Sequence, residues 1–248
     1  MENQLNVGKV FLGAFAIPWW NRQVFLQTLI IPLILLVTLN LSWYVARENV
    51  SEFVNWLLYA IYGILFTVFA VTCHRLVIRD DRSSVLQIVK NKIRPEPRFL
   101  IWMIVVSLSS ATVWAALSAL EFNFLFSSAE PENTLLSWTL FATKIPSFYL
   151  FARFCLVFPA TAIGRKVNLN WSFQLTKGNG WRLALVVFAL PWIISQIINL
   201  LYQVNPSMLE TVALQFIGWI LVIVEVSALS LAYIELTKNE IPQLRQTE

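Results

Sequence analysis

The sequence predicts an all-α polytopic membrane protein: six transmembrane helices in three pairs, each pair preceded by a cytoplasmic interfacial amphipathic helix. Three observations carry this. Hydrophobic residues make up 58% of the 248 and charged residues 13%, with a mean hydropathy of +0.66, whereas charged residues are near a quarter of a soluble domain. Six stretches approach or exceed the roughly 20 mainly apolar residues that a spanning helix needs: Val24 to Ala46, Phe53 to Ile78, Phe99 to Leu120, Leu135 to Phe158, Leu183 to Tyr202 and Leu209 to Glu235. The basic residues gather on alternate connections.

That asymmetry sets the expected topology. Sixteen of the 18 Lys and Arg lie in the N-terminal segment, in the second and fourth inter-helix segments with their flanks, and in the C-terminal tail. The first, third and fifth loops carry Glu48, Glu52, Glu121, Glu130, Glu132 and Glu210 instead. By the positive-inside rule both termini face the cytoplasm. The formal net charge of +4 is therefore read as topology and as attraction to anionic headgroups. Nucleic acid is not the expected partner, because the cations flank spans and do not cover a soluble face. The first apolar run is long enough to anchor and is expected to remain in the mature protein.

In chain order, Val7, Val10, Phe11, Ala14 and Phe15 recur at helical spacing, which predicts a surface helix ended by Pro18 and anchored by Trp19 and Trp20. The second span leaves the membrane at Cys73-His74-Arg75 and delivers the densest basic segment, from Arg79 to Arg98. Within it Ser84 and Gln87 form a capping box for a second amphipathic helix, closed by Pro95 and Pro97. The fourth span breaks at Pro159, and Ile163, Val167, Trp171 and Leu175, four apart, predict the third amphipathic helix. Gly178-Asn179-Gly180 then turns the chain back into the membrane. Each surface helix is followed by a Pro or Gly break and an arginine (Arg22, Arg98, Arg182) at intervals of 76 and 84 residues. The single membrane domain thus divides into repeats 1–78, 79–158 and 159–248.

The run Tyr149-Leu150, Arg153, Leu156, Pro159-Ala160, then Ser172 to Asn179 and Trp181-Arg182, resembles the signature of the membrane domain of glycerophosphoryl diester phosphodiesterases and related uncharacterised bacterial inner-membrane proteins. The closing Ala232 to Lys238 is similar to that family's final span and basic tail. The resemblance implies a multi-pass protein of the bacterial inner membrane. It departs from the family at Gly164-Arg165-Lys166, where members commonly carry an acidic residue. The phosphodiesterase barrel, with its paired histidines and carboxylates around a metal, has no counterpart in a chain with one histidine.

No catalytic residue, cofactor or metal site is expected. His74 has no nearby cysteine pair or acidic cluster to complete a zinc site, and Cys73 and Cys155 are read as reduced, buried thiols. The intramembrane charges are Lys144, Arg153 and Glu225, each costing at least about 2.5 kcal/mol if unpaired. Arg153 and Glu225 fall at similar depth, roughly 25 Å in at 1.5 Å per residue, which predicts an ion pair; the alternative is that Arg153 snorkels to the headgroups. Lys144 either lines a polar cavity with Gln196, Asn199 and Glu225 or is satisfied structurally. Arg165, Lys166, Lys177 and Arg182 are the candidate contacts to lipid phosphate.

The expectation is a non-enzymatic membrane protein whose basic interfacial helices meet anionic lipid or a membrane-protein partner. The alternative is a small transporter or lipid-handling protein with a polar cavity near Lys144 and Glu225.

Overall fold

The computed structural model describes residues 4–46, 51–79, 97–125, 144–189, 191–196 and 208–238, and contains no strand among them. The helices are α1 (Val7–Trp20), α2 (Arg22–Ala46), α3 (Glu52–Arg79), α4 (Pro97–Leu125), α5 (Lys144–Phe154), α6 (Val157–Ala162), α7 (Leu169–Leu175), α8 (Gly180–Ala184) and α9 (Met208–Thr237). Four stretches are long and apolar enough to cross a membrane: Arg22–Ser42, Glu52–Arg79, Ile145–Ala162 and Val212–Thr237. A fifth is reached only if α7 and the helix from Gly180 to Gln196, bent by 104°, count as one. Four or five such helices suit a multi-pass membrane protein. In α4, 29 residues long, the apolar section with described side chains is Pro97–Val113, and the second predicted surface helix lies outside the described residues.

The first surface helix differs from expectation. Pro18 does not end α1, which runs on to Trp20. A proline removes one backbone bond and usually kinks a helix, but the next turn is retied: Asn21 donates both its backbone N–H (3.0 Å) and its side-chain amide (3.1 Å) to the Ile17 carbonyl. Nor is α1 merely laid on a surface. It docks along α9 with Val10 and Ala14 buried, so closely that a Cβ on Gly13 would stand 2.9 Å from Leu231. Its outer side, with Leu12, Trp19 and Trp20 exposed, is apolar too.

The break in the fourth span is displaced from Pro159 to Cys155-Leu156. The physical reason is the proline itself, which cannot donate to the carbonyl four residues back and presses its ring against it. That carbonyl belongs to Cys155, which accepts a tighter bond from Phe158 N instead, at 3.1 Å. The same reasoning accounts for the π-helical turn Leu185–Ala189 after α8, since Pro191 has no N–H for the Val187 carbonyl.

The third amphipathic helix is also shorter than the four-residue spacing implied. Ile163 and Val167 precede it, because α6 closes in a Schellman turn: Arg165 N bonds Ala160 O (3.0 Å), Gly164 N bonds Thr161 O (2.9 Å), and Gly164 takes φ +86°. The chain restarts at Asn168, whose side chain caps the Trp171 N–H at 2.8 Å. Gly164→Ala should cost about 1 kcal/mol, because the left-handed conformation burdens any Cβ even where there is open space around it. Equilibrium unfolding in detergent would show that loss; an unchanged midpoint would contradict it.

Two core clusters hold the bundle. One joins α2, α3 and α9 around Phe25, Leu29, Phe69 and Trp219. The larger joins α1, α3, α4, α5, α6, α8 and α9, and is rich in small residues such as Ala152, Ala160, Ala162, Ala228 and Ala232. Small residues let helices approach closely where no water is squeezed out to drive association. Burial is uneven along α3: Phe53, Trp56, Leu57, Tyr59 and Ile64 are exposed, whereas Thr67 to Leu76 are nearly all buried. The packed core therefore sits toward the end carrying Arg75 and Arg79. Farther along, Asn40 donates to Gln215 at 3.0 Å, tying α2 to α9. Arg22, Arg98 and Arg182 each fall in the first turn of a helix, α2, α4 and α8 respectively.

Candidate functional site

The densest polar arrangement centres on Arg153. Tyr149 and Arg153 stand one turn apart on α5, hence on one face. The Arg153 guanidinium donates to the Phe173 carbonyl at 2.5 Å and to Tyr149 Oη at 3.2 Å, and lies 3.8 Å from the centre of the Phe173 ring. The Arg153 carbonyl accepts from Ser172 Oγ at 2.8 Å. Gly180 fits against this pair, and the Trp181 ring packs 4.5 Å from that of Tyr149. The turn between α7 and α8 also grips the N-terminal segment. Asn179 Oδ1 accepts from Leu5 N at 2.8 Å, while Arg182 donates to Leu5 O (3.2 Å) and Gln4 Oε1 (3.1 Å). The polar groups of this knot hold backbone segments together.

Arg153 and Glu225 are not an ion pair, contrary to the depth argument. Equal depth is insufficient: α5 packs on α4 and α8, whereas α9 packs on α1 and α3, so the two side chains belong to different interfaces. Arg153 gives its protons to a carbonyl and a phenol. Glu225 borders a slot of about 10 Å³ with Phe11, Phe15, Val186 and Leu221, space for about one water. Of the three residues predicted to share a polar cavity with it, one has a described side chain. Gln196 is exposed and absent from that slot, while Asn199 and the Lys144 side chain lie outside the described residues.

A second set of arginines caps helix ends. Arg75 donates to Ala162 O and Arg79 to Ile163 O, both at 2.6 Å, where the last carbonyls of α6 carry partial negative charge. Arg165 donates to Tyr233 Oη at 3.0 Å and lies 5.3 Å from the Trp171 ring centre. His74, buried beneath, meets Ser230 Oγ at 2.7 Å. Because the Ser230 hydrogen goes to Val226 O, His74 Nδ1 is the donor. These contacts are not legible in the sequence; the one available signal is an arginine at 75 and another at 79, one turn apart beside a span end.

The four predicted phosphate contacts thus divide. Arg165 and Arg182 are committed to internal partners, and Lys177 is exposed on the turn after α7. Of the four, Lys166 faces a cleft of about 250 Å³, formed with Val167, Arg98, Ile101 and Trp102. Arg98 and Lys166 are both exposed and make no hydrogen bond or ion pair among the described residues. A separate groove of about 300 Å³, lined by Phe148, Tyr149, Trp181, Phe188 and Trp192 among others, is almost wholly apolar. No three His, Cys, Asp or Glu come together among the described residues.

No family model matches the chain, and neither a curated protein nor a solved structure does.

Proposed function

We propose that this chain is a non-enzymatic, multi-pass protein of a bacterial inner membrane that engages anionic phospholipid headgroups through its cytoplasmic face. One observation carries the reading. Arg75, Arg79 and Arg165 at that end are spent on internal carbonyls and a hydroxyl, whereas Arg98 and Lys166 stand exposed, with no partner among the described residues, at the mouth of a cleft with apolar walls. Cations left free at headgroup depth are placed to meet phosphate. The protein purified with bound lipid should retain phosphatidylglycerol in preference to phosphatidylcholine when examined by native mass spectrometry. Equal retention of the two would count against the reading.

With it goes a topology of six spans in three pairs, both termini in the cytoplasm, each pair led by a surface helix. A membrane-protein partner for the basic face is compatible with it, and so is kinship with the phosphodiesterase membrane domain, which rests on the quoted residues alone. Cysteine scanning tests the topology cleanly, because the native Cys73 and Cys155 are buried. In intact cells an impermeant thiol reagent should label Glu130→Cys, and should label Arg94→Cys only after lysis. Labelling of both from outside would sink the topology. The transporter alternative draws little support, since the slot beside Glu225 is about 10 Å³ and its other lining is apolar.

A further inference from the structure

We propose that the cleft between Arg98 and Lys166 holds the phosphate of one anionic phospholipid, with an acyl chain laid along Ile101, Ile104 and Leu108. The site rests on the lipid-engaging reading above and narrows it to a single place.

The two cations come from opposite sides of the cleft. Arg98 is the second residue of α4, at the end of a 29-residue helix where backbone N–H groups and the macrodipole favour an anion. Lys166 stands on the segment after α6, and that segment is held from three directions. Gly164 closes the Schellman turn, Arg75 and Arg79 pin Ala162 O and Ile163 O, and the neighbouring Arg165 is turned inward to Tyr233. Lys166 is thus presented on a fixed base, with its own side chain exposed. At about 250 Å³ the cleft falls just below the roughly 300–1,000 Å³ of sites for drug-sized solutes, a size suited to a phosphoglycerol headgroup.

The apolar surroundings choose a lipid over soluble phosphate. Ile101 and Trp102 line the cleft itself, and an indole is at home where hydrocarbon meets headgroups. Ile101, Ile104 and Leu108 are 55%, 51% and 61% exposed and sit at i, i+3 and i+7, so they form one stripe running from the cleft along α4. A free phosphate uses the cations and has no use for that stripe; a phospholipid uses both.

The test compares the full-length wild type with R98Q/K166Q and with K9Q/K238Q, which removes two exposed charges that face Glu235 and not the cleft. Each is titrated with phosphatidylglycerol in detergent and read by native mass spectrometry. Loss of the cleft cations should weaken the tightest phosphatidylglycerol roughly 30-fold, two basic residues at the strength of cations near an anionic membrane. K9Q/K238Q should stay within about twofold of wild type, and R98K/K166R should keep the lipid, since a point charge suffices for phosphate. Arg98 and Lys166 are exposed and make no bond among the described residues, so the melting temperature should not move; K166Q alone, on a non-helical segment, serves if the double variant does not fold. Equal binding by R98Q/K166Q and wild type would overturn the site. Displacement of the lipid by millimolar inorganic phosphate would also overturn it, in favour of a soluble-anion site. A wild type with no preference for phosphatidylglycerol would instead defeat the broader reading.

Discussion

Arg153→Ala should destabilise the protein by about 3 kcal/mol, the sum of two hydrogen bonds from a charged donor at about 1.5 kcal/mol each. The bonds in question are those to Phe173 O and Tyr149 Oη, and Arg153 is only 7% exposed. Alanine also empties the space over the Phe173 ring and leaves the Phe173 carbonyl without its closest donor. Arg153→Lys should recover only part of the loss, because an ammonium cannot span both acceptors with a planar fork and stacks less well. Thermal unfolding in detergent measures the loss. A melting curve for Arg153→Ala that overlays the wild type would show that the knot contributes nothing to stability.

Gly180→Ala tests the same knot by the sign of its effect. Gly180 opens α8, and within a helix alanine is normally better than glycine by about 1 kcal/mol. Here the added Cβ would stand 2.8 Å from Arg153 Cδ, from Tyr149 Cε2 and from Tyr149 Oη. Neither side chain can swing away freely, since the arginine is bonded to Phe173 O and the tyrosine lies against Trp181. Overpacking of this kind costs about 1–3 kcal/mol, so the net effect should be a loss. Gly218 in α9 is the control: a Cβ there meets nothing within 4 Å, and Gly218→Ala should gain up to about 1 kcal/mol. Unfolding midpoints that rise for both variants would refute the close approach at Gly180.

Several features are readable from residue order alone because they depend on local chemistry. The apolar runs around residues 24–46, 53–78 and 209–235 are found inside α2, α3 and α9, since backbone groups in hydrocarbon have few ways to be satisfied other than a helix. The turn at Gly178, with φ +76°, comes from glycine's freedom. The departures from expectation at the two prolines have one origin. In the sequence Pro18 and Pro159 look like stops, but a proline acts on the carbonyl one turn earlier, Ala14 O or Cys155 O, and neither helix ends at the proline itself. Asn21 reties the turn after Pro18; at Pro159 the helix yields at Cys155.

Charge partners are the least legible. Depth matches Arg153 to Glu225, yet its acceptors are Tyr149, four residues away, and a carbonyl twenty residues on. A carbonyl carries no mark in a sequence, so an arginine that seeks one looks unpaired. For the same reason Arg182, bonded to Leu5 O, looks like a free cation, and so does Arg165, whose Tyr233 hydroxyl lies 68 residues on.

The sequence by itself determined that this chain is helical, strongly apolar and asymmetrically charged, because those properties are sums over residues and survive ignorance of contacts. Only the tertiary structure decided which cations hold the protein together and which remain available to an outside ligand. Arg98 and Lys166 are 68 positions apart in the sequence, and it takes the packing of α6 against α3 and α4 to set them across one cleft.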